Sequence, residues 1–122
     1  MVKSSYQYID LNILKENTFG DTSIMKEIME LFLELMDEYV GVLNFQFPNK
    51  KWQVLYQATH KIKPNISMFG ISKLESTILQ LESNFKNEQN LNTSEALVND
   101  CLAVFKEVKR EVLTELKSMN ND

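Results

Sequence analysis

The chain holds one histidine, one cysteine, one tryptophan, two prolines and three glycines in 122 residues, and each scarcity closes off a class of function. A single histidine cannot build a metal site that needs two or three, and the acidic residues are not spaced inward as a carboxylate centre requires. Cys101 has no partner for an internal disulfide. Its place on a helical apolar stripe marks it as a small buried hydrophobe. So few prolines and glycines punctuate helices more than they build the turns of a sheet. There is no Gly-rich phosphate loop and no Gly-x-Ser-x-Gly elbow, which leaves nucleotide binding and hydrolase chemistry without support. A basic excess is missing too: the formal charge of -4 speaks against general nucleic-acid binding. No stretch approaches the roughly 18 uninterrupted apolar residues of a membrane span, and the first seven residues lack the apolar region of a signal peptide. These absences lead us to expect a single cytoplasmic domain with no metal site of its own.

What is present is helical patterning. With 43% hydrophobic and 25% charged residues, a chain of this length buries about two-thirds of its unfolded surface without cross-links. Tyr8, Ile9, Leu11 and Leu14 suggest a short helix over about 6–15, and apolar residues at steps of three and four predict main helices over about 22–43, 50–69, 73–87 and 94–119. Asp21 or Thr22 is placed to cap the first of these, whose stripe runs through Ile24, Ile28, Leu31, Phe32, Leu35, Met36, Tyr39 and Leu43. The methionines Met25, Met29 and Met36 read as core filling. Ser72 and Glu75 fit a capping box opening the fourth helix, whose inward face carries Leu74, Ile78, Leu81 and Phe85. Thr93 or Ser94 opens the last, with Leu97, Cys101, Val104, Phe105, Val108, Val112 and Leu116 on its stripe and fraying expected over 120–122. The predicted fold is all-α: an antiparallel, up-down-up-down four-helix bundle with a short additional N-terminal helix.

The chemistry gathers around the lone histidine. At about 100° per residue, Val54, Leu55, Ala58, Ile62, Ile66 and Phe69 fall within roughly 60° of the direction opposite His60. His60 therefore points to solvent. Lys63, Pro64 and Ser67 lie on its own side of the helix. Pro64 removes a donor and crowds the carbonyl of His60, yet Ile62, Ile66 and Phe69 stay in phase across it, so the helix is expected to bend there without ending.

His60, Lys63, Gly70, Leu74 and the Leu81-Glu82 pair stand at offsets of zero, three, ten, fourteen and twenty-one. In this order, with Ile9-Asp10-Leu11 and Gly20-Asp21 upstream, they resemble the signature of histidine-containing phosphotransfer (HPt) domains of multistep two-component relays. The family's His-x-x-Lys-Gly run has Pro64 here in place of the glycine. The resemblance implies that His60 accepts a phosphoryl group from a receiver-domain aspartate, that Lys63 steadies the charge of that group, and that the protein needs no cofactor of its own, the metal ion belonging to the receiver; with no ATP-binding part in the sequence, it is not expected to be a kinase. Tyr56, Gln57, Lys61, Pro64, Ser67, Met68 and Gly70 are the residues expected to meet the partner, a receiver domain of a hybrid sensor kinase or of a response regulator. The protein is expected to act as a monomer, and the start at Met1 favours a free-standing module. An imidazole with a reference pKa of about 6.5 keeps a free lone pair near neutral pH, so the attack requires no separate base. The competing reading is a helical adaptor whose exposed faces bind partner helices and whose histidine is incidental.

Overall fold

The computed structural model describes residues 6–120, and the expected fraying at 121 and 122 lies outside them. Five helices follow in order: α1 (Asn12–Asn17), α2 (Thr22–Gln46), α3 (Trp52–Met68), α4 (Ser72–Asn87) and α5 (Leu91–Asn120). Helix α2 packs on α3 and α5, and α4 on the same two, so α2 to α5 close an antiparallel ring around one core while α1 rests against α3. The predicted bundle is the observed one. Its centre is aromatic: Phe32 stacks on Phe69 at 4.2 Å, Tyr39 meets Phe105 edge-on, and Trp52 stacks on Phe85. Met25, Met29, Met36 and Cys101 are all buried, and burial pushes the Cys101 thiol up to about 12, with Asp100 adding to the effect.

Several boundaries and faces differ from expectation for identifiable reasons. Residues 6–11 are not helical. The Glu111 carboxylate on α5 accepts hydrogen bonds from the amides of Gln7, Tyr8 and Ile9, and Tyr6 donates to Glu115 at 2.6 Å. Those amides are thereby diverted from helix formation, and the helix begins only at Asn12. Asp21 caps α2 by accepting from the Ile24 amide, and Met25 and Met29 fill the core, both as predicted, but Ile24 and Leu31 of the expected stripe are exposed. The capping box at Ser72 does not form, because the cap position falls on buried Ile71 and no side chain closes it. Thr93 and Ser94 do not cap α5 but sit in its first turn, donating back to the Asn90 carbonyl. Asn84 is fully buried inside α4, where it donates to Ser94 and accepts from Gln80.

Helix α3 runs unbroken through Pro64, as the phase of its stripe requires. Its core face is rotated toward Thr59: Leu55, Thr59, Ile62, Ile66 and Phe69 are buried, Ala58 is half-buried and Val54 is exposed. A threonine can take the inward position because its hydroxyl is fully employed, donating to the Leu55 carbonyl and sharing a 2.8 Å hydrogen bond with Tyr39. No buried side-chain polar atom among the described residues is left without a partner.

Candidate functional site

Two anchors set the angle at which α3 presents its chemistry. Thr59 and Ile62 point into the core, so their chain neighbours His60 and Lys63 emerge on the outer side, next to α4. On α4, Leu81 is fully buried and the following residue, Glu82, reaches toward α3 with its side chain only 14% exposed. One Glu82 oxygen meets His60 Nδ1 at 2.6 Å and the other accepts from Lys63 Nζ at 2.9 Å. A single carboxylate therefore holds both groups of the predicted pair. Burial of the Glu82 carboxyl works to raise its pKa, but the hydrogen bonds from His60 and Lys63 outweigh it and keep the group below the usual carboxylate value. With Nδ1 donating to Glu82, the second ring nitrogen, Nε2, carries the lone pair of the neutral tautomer. The imidazole side chain is 63% exposed.

The partner-facing residues expected from the sequence are only partly gathered here. Tyr56 is half-buried one turn before His60, its ring 6.0 Å from the imidazole. Gln57, Lys61, Pro64 and Ser67 are exposed on the same flank of α3, and Met68 is half-buried against the core. Lys61 pairs across to Glu38 of α2 at 3.2 Å. Between α2 and α3 runs a groove lined by Leu35, Val42, Val54 and Ala58, with Glu38 and Lys61 at its rim. Gly70 is elsewhere, ten residues on and about 15 Å along the helix axis. It turns the chain at φ +60° and packs against Asp10, so the close approach that it allows is to the protein's own N-terminal segment.

The comparison with protein families agrees with this geometry. The model of the Hpt domain matches residues 27–120. The chain belongs to the Hpt family. Hpt domains are phosphocarrier modules without kinase activity that serve histidine phosphotransfer in phosphorelays. Comparison with curated proteins and with solved structures gives no match. No helix among the described residues of this Hpt domain is long and apolar enough to cross a membrane.

Glu82 is the residue whose role went unassigned from sequence, although it stood in the pattern. A geometric signal for it exists. In two antiparallel helices of equal rise joined by a tight turn, residues equidistant from the turn face each other. His60 lies eleven positions before Ile71 and Glu82 eleven after it; Tyr56 and Lys86 lie fifteen before and fifteen after.

Proposed function

We propose that this Hpt domain is a phosphorelay intermediate in which His60 takes a phosphoryl group from the aspartyl phosphate of one receiver domain and passes it to the aspartate of another. The observation that carries the reading is the shared carboxylate of Glu82, which leaves Nε2 facing solvent. The Nε2 lone pair attacks phosphorus, an N–P bond forms, and the P–O bond to the donor aspartate breaks with its electron pair left on that carboxylate. The ring becomes cationic, and its Nδ1 proton stays hydrogen-bonded to Glu82. In the second transfer a carboxylate oxygen attacks phosphorus and the N–P electrons return to Nε2. Lys63 stands beside the acceptor, where an ammonium stabilises the spreading charge of the phosphoryl oxygens. The domain acts as a cytoplasmic monomer without a cofactor, any divalent ion being the receiver's. The receiver, from a hybrid sensor kinase or a response regulator, docks on the flank formed by Tyr56, Gln57, Lys61, Pro64, Ser67 and Met68 and on the apolar groove beside it.

Receiver domains charged with acetyl phosphate test the reading. Transfer to this protein should give a label that is acid-labile and base-stable. Binding without any label would instead support a helical adaptor.

Two substitutions probe the neighbours of His60. Lys63→Ala is expected to slow transfer about ten- to a hundredfold, less than a fully buried oxyanion donor commands because the lysine is partly solvated. Receiver affinity should change little, and stopped-flow transfer set beside a binding titration separates the two quantities. Glu82→Gln keeps an acceptor for Nδ1 but removes the charge that Lys63 answers. Because the folded pKa of Glu82 lies below its unfolded one, its contribution is present above the ordinary carboxylate range and is lost as pH falls through the folded value. Urea unfolding should find Glu82→Gln about 1 kcal/mol weaker than the parent at pH 7. The gap should close in strong acid, where the parent's own carboxyl is protonated.

A further inference from the structure

Helix α3 is not turned the way its apolar residues alone would turn it. Leu55, Ile62, Ile66 and Phe69 belong both to its apolar stripe and to its buried face; the stripe adds Val54 and Ala58, whereas the buried face adds Thr59. At about 100° per residue, the centres of these two sets lie about 30° apart around the helix. The difference runs toward α4. It brings His60 from almost opposite the core to about 140° from the core's centre, on the side where Glu82 stands. With side chains reaching about 6 Å from a helix axis, a turn of that size moves the ring by about 3 Å. The 2.6 Å contact between Nδ1 and Glu82 does not survive such a shift.

A polar contact with α2 holds the helix at this setting. Thr59 gives its only hydroxyl proton to the Leu55 carbonyl, so the 2.8 Å bond between Thr59 and Tyr39 is donated by the tyrosine. Burial raises the pKa of the Tyr39 hydroxyl well above the usual tyrosine value, with Cys101 adding to the effect, and the donor keeps its proton. Both residues are buried, and a bond shielded from water in this way is costly to leave unmade. Lys61 pairs with Glu38, the residue before Tyr39, but these side chains are 61% and 60% exposed and such a pair contributes little. The two chain neighbours of His60 are thus tied to consecutive residues of α2, while His60 itself is tied to α4.

We propose that Tyr39 is a positioning residue for phosphoryl transfer: its hydroxyl, acting through Thr59, sets the turn of α3 that brings His60 onto Glu82 and leaves Nε2 facing the receiver. This rests on the phosphorelay reading of His60 and adds to it a residue that touches neither the imidazole nor the phosphoryl group.

Tyr39→Phe tests it, because the variant keeps the ring beside Phe105 and leaves Thr59 bonded to the Leu55 carbonyl. Imidazole nitrogen chemical shifts read the tautomer of the chain's only histidine directly. In the neutral ring of the parent the proton should sit on Nδ1, and in Tyr39→Phe that population should fall. Transfer from a receiver domain charged with acetyl phosphate should slow about tenfold at saturating receiver, with affinity unchanged within about twofold, since misplacement by about 1 Å can cost up to about a hundredfold. Thr59→Ser keeps the hydroxyl and should match the parent on both readouts. Tyr39→Phe combined with Thr59→Val makes both partners apolar, should behave as Tyr39→Phe does, and replaces it in the test if the single variant does not fold. A tautomer or a saturating rate per folded molecule that stays at the parental value makes Tyr39 a packing residue and overturns the proposal, as does a loss carried by affinity. A parent that takes no label overturns the relay reading instead, and the tautomer alone then decides whether Tyr39 sets the ring.

Discussion

Replacing His60 with glutamine is expected to abolish transfer while leaving the bundle folded. The chain has no second histidine to take over as acceptor. Cys101, the other strong nucleophile, is buried with its thiol pushed up to about 12, so it offers neither access nor thiolate. The cost in stability should be small, because the imidazole is largely exposed and its partner Glu82 keeps the hydrogen bond from Lys63. A loss within about 1 kcal/mol is expected by urea unfolding, the worth of one partly solvated hydrogen bond. Receiver binding should persist, since the groove between α2 and α3 is untouched. Acid-labile, base-stable phosphate remaining on His60→Gln would place the acceptor elsewhere and undo the assignment.

The amount of this that could be read in advance depended on how local each interaction is. The stripe Leu74, Ile78, Leu81 and Phe85 was legible because a single helical period governs it, and all four are buried as expected. The outward direction of His60 was legible for the same reason. The α3 core face was misplaced by its polar member: Thr59 turns inward only because Tyr39, twenty residues away, shares a hydrogen bond with it, and no pattern within α3 carries that fact. Residues 6–11 failed more completely. Their apolar spacing suits a helix, but the carboxylate that claims their amides belongs to Glu111, about a hundred positions downstream. Glu82 lies between these cases. Its reach to His60 depends on the turn at Gly70 and Ile71, which was predicted, and on counting outward from it.

Gly70→Ala is expected to be among the most destabilising single changes at an exposed or half-exposed position. The residue ends α3 at φ +60°, with the Gly70 amide donating to the Ser67 carbonyl and the Ile71 amide to that of Ile66, the paired arrangement that satisfies the last carbonyls of a helix. Left-handed backbone is not in itself prohibitive here, since Phe19, Lys50 and Glu88 adopt it at the ends of α1, α2 and α4. Gly70 differs in what lies above it. A Cβ built there would come within 2.7 Å of both the Asp10 Cβ and the Asp10 carbonyl oxygen, while the Asp10 amide is bonded to the Phe69 carbonyl and cannot retreat without breaking that bond. The left-handed conformation costs about 1–2 kcal/mol for a residue with a Cβ, and the displaced segment adds about 1–3 kcal/mol of overpacking. The expected total, about 2–5 kcal/mol, is a large part of the stability of a domain this size. Glu88→Gly, made at an open helix end, should by contrast be neutral or gain up to about 1 kcal/mol, relief of the backbone being offset by a freer unfolded chain. Urea midpoints at constant slope compare the two. If Gly70→Ala loses less than about 1 kcal/mol, residues 6–11 give way freely and Gly70 is a helix terminator like the other three; if transfer per folded molecule falls as well, the glycine acts at the docking surface after all.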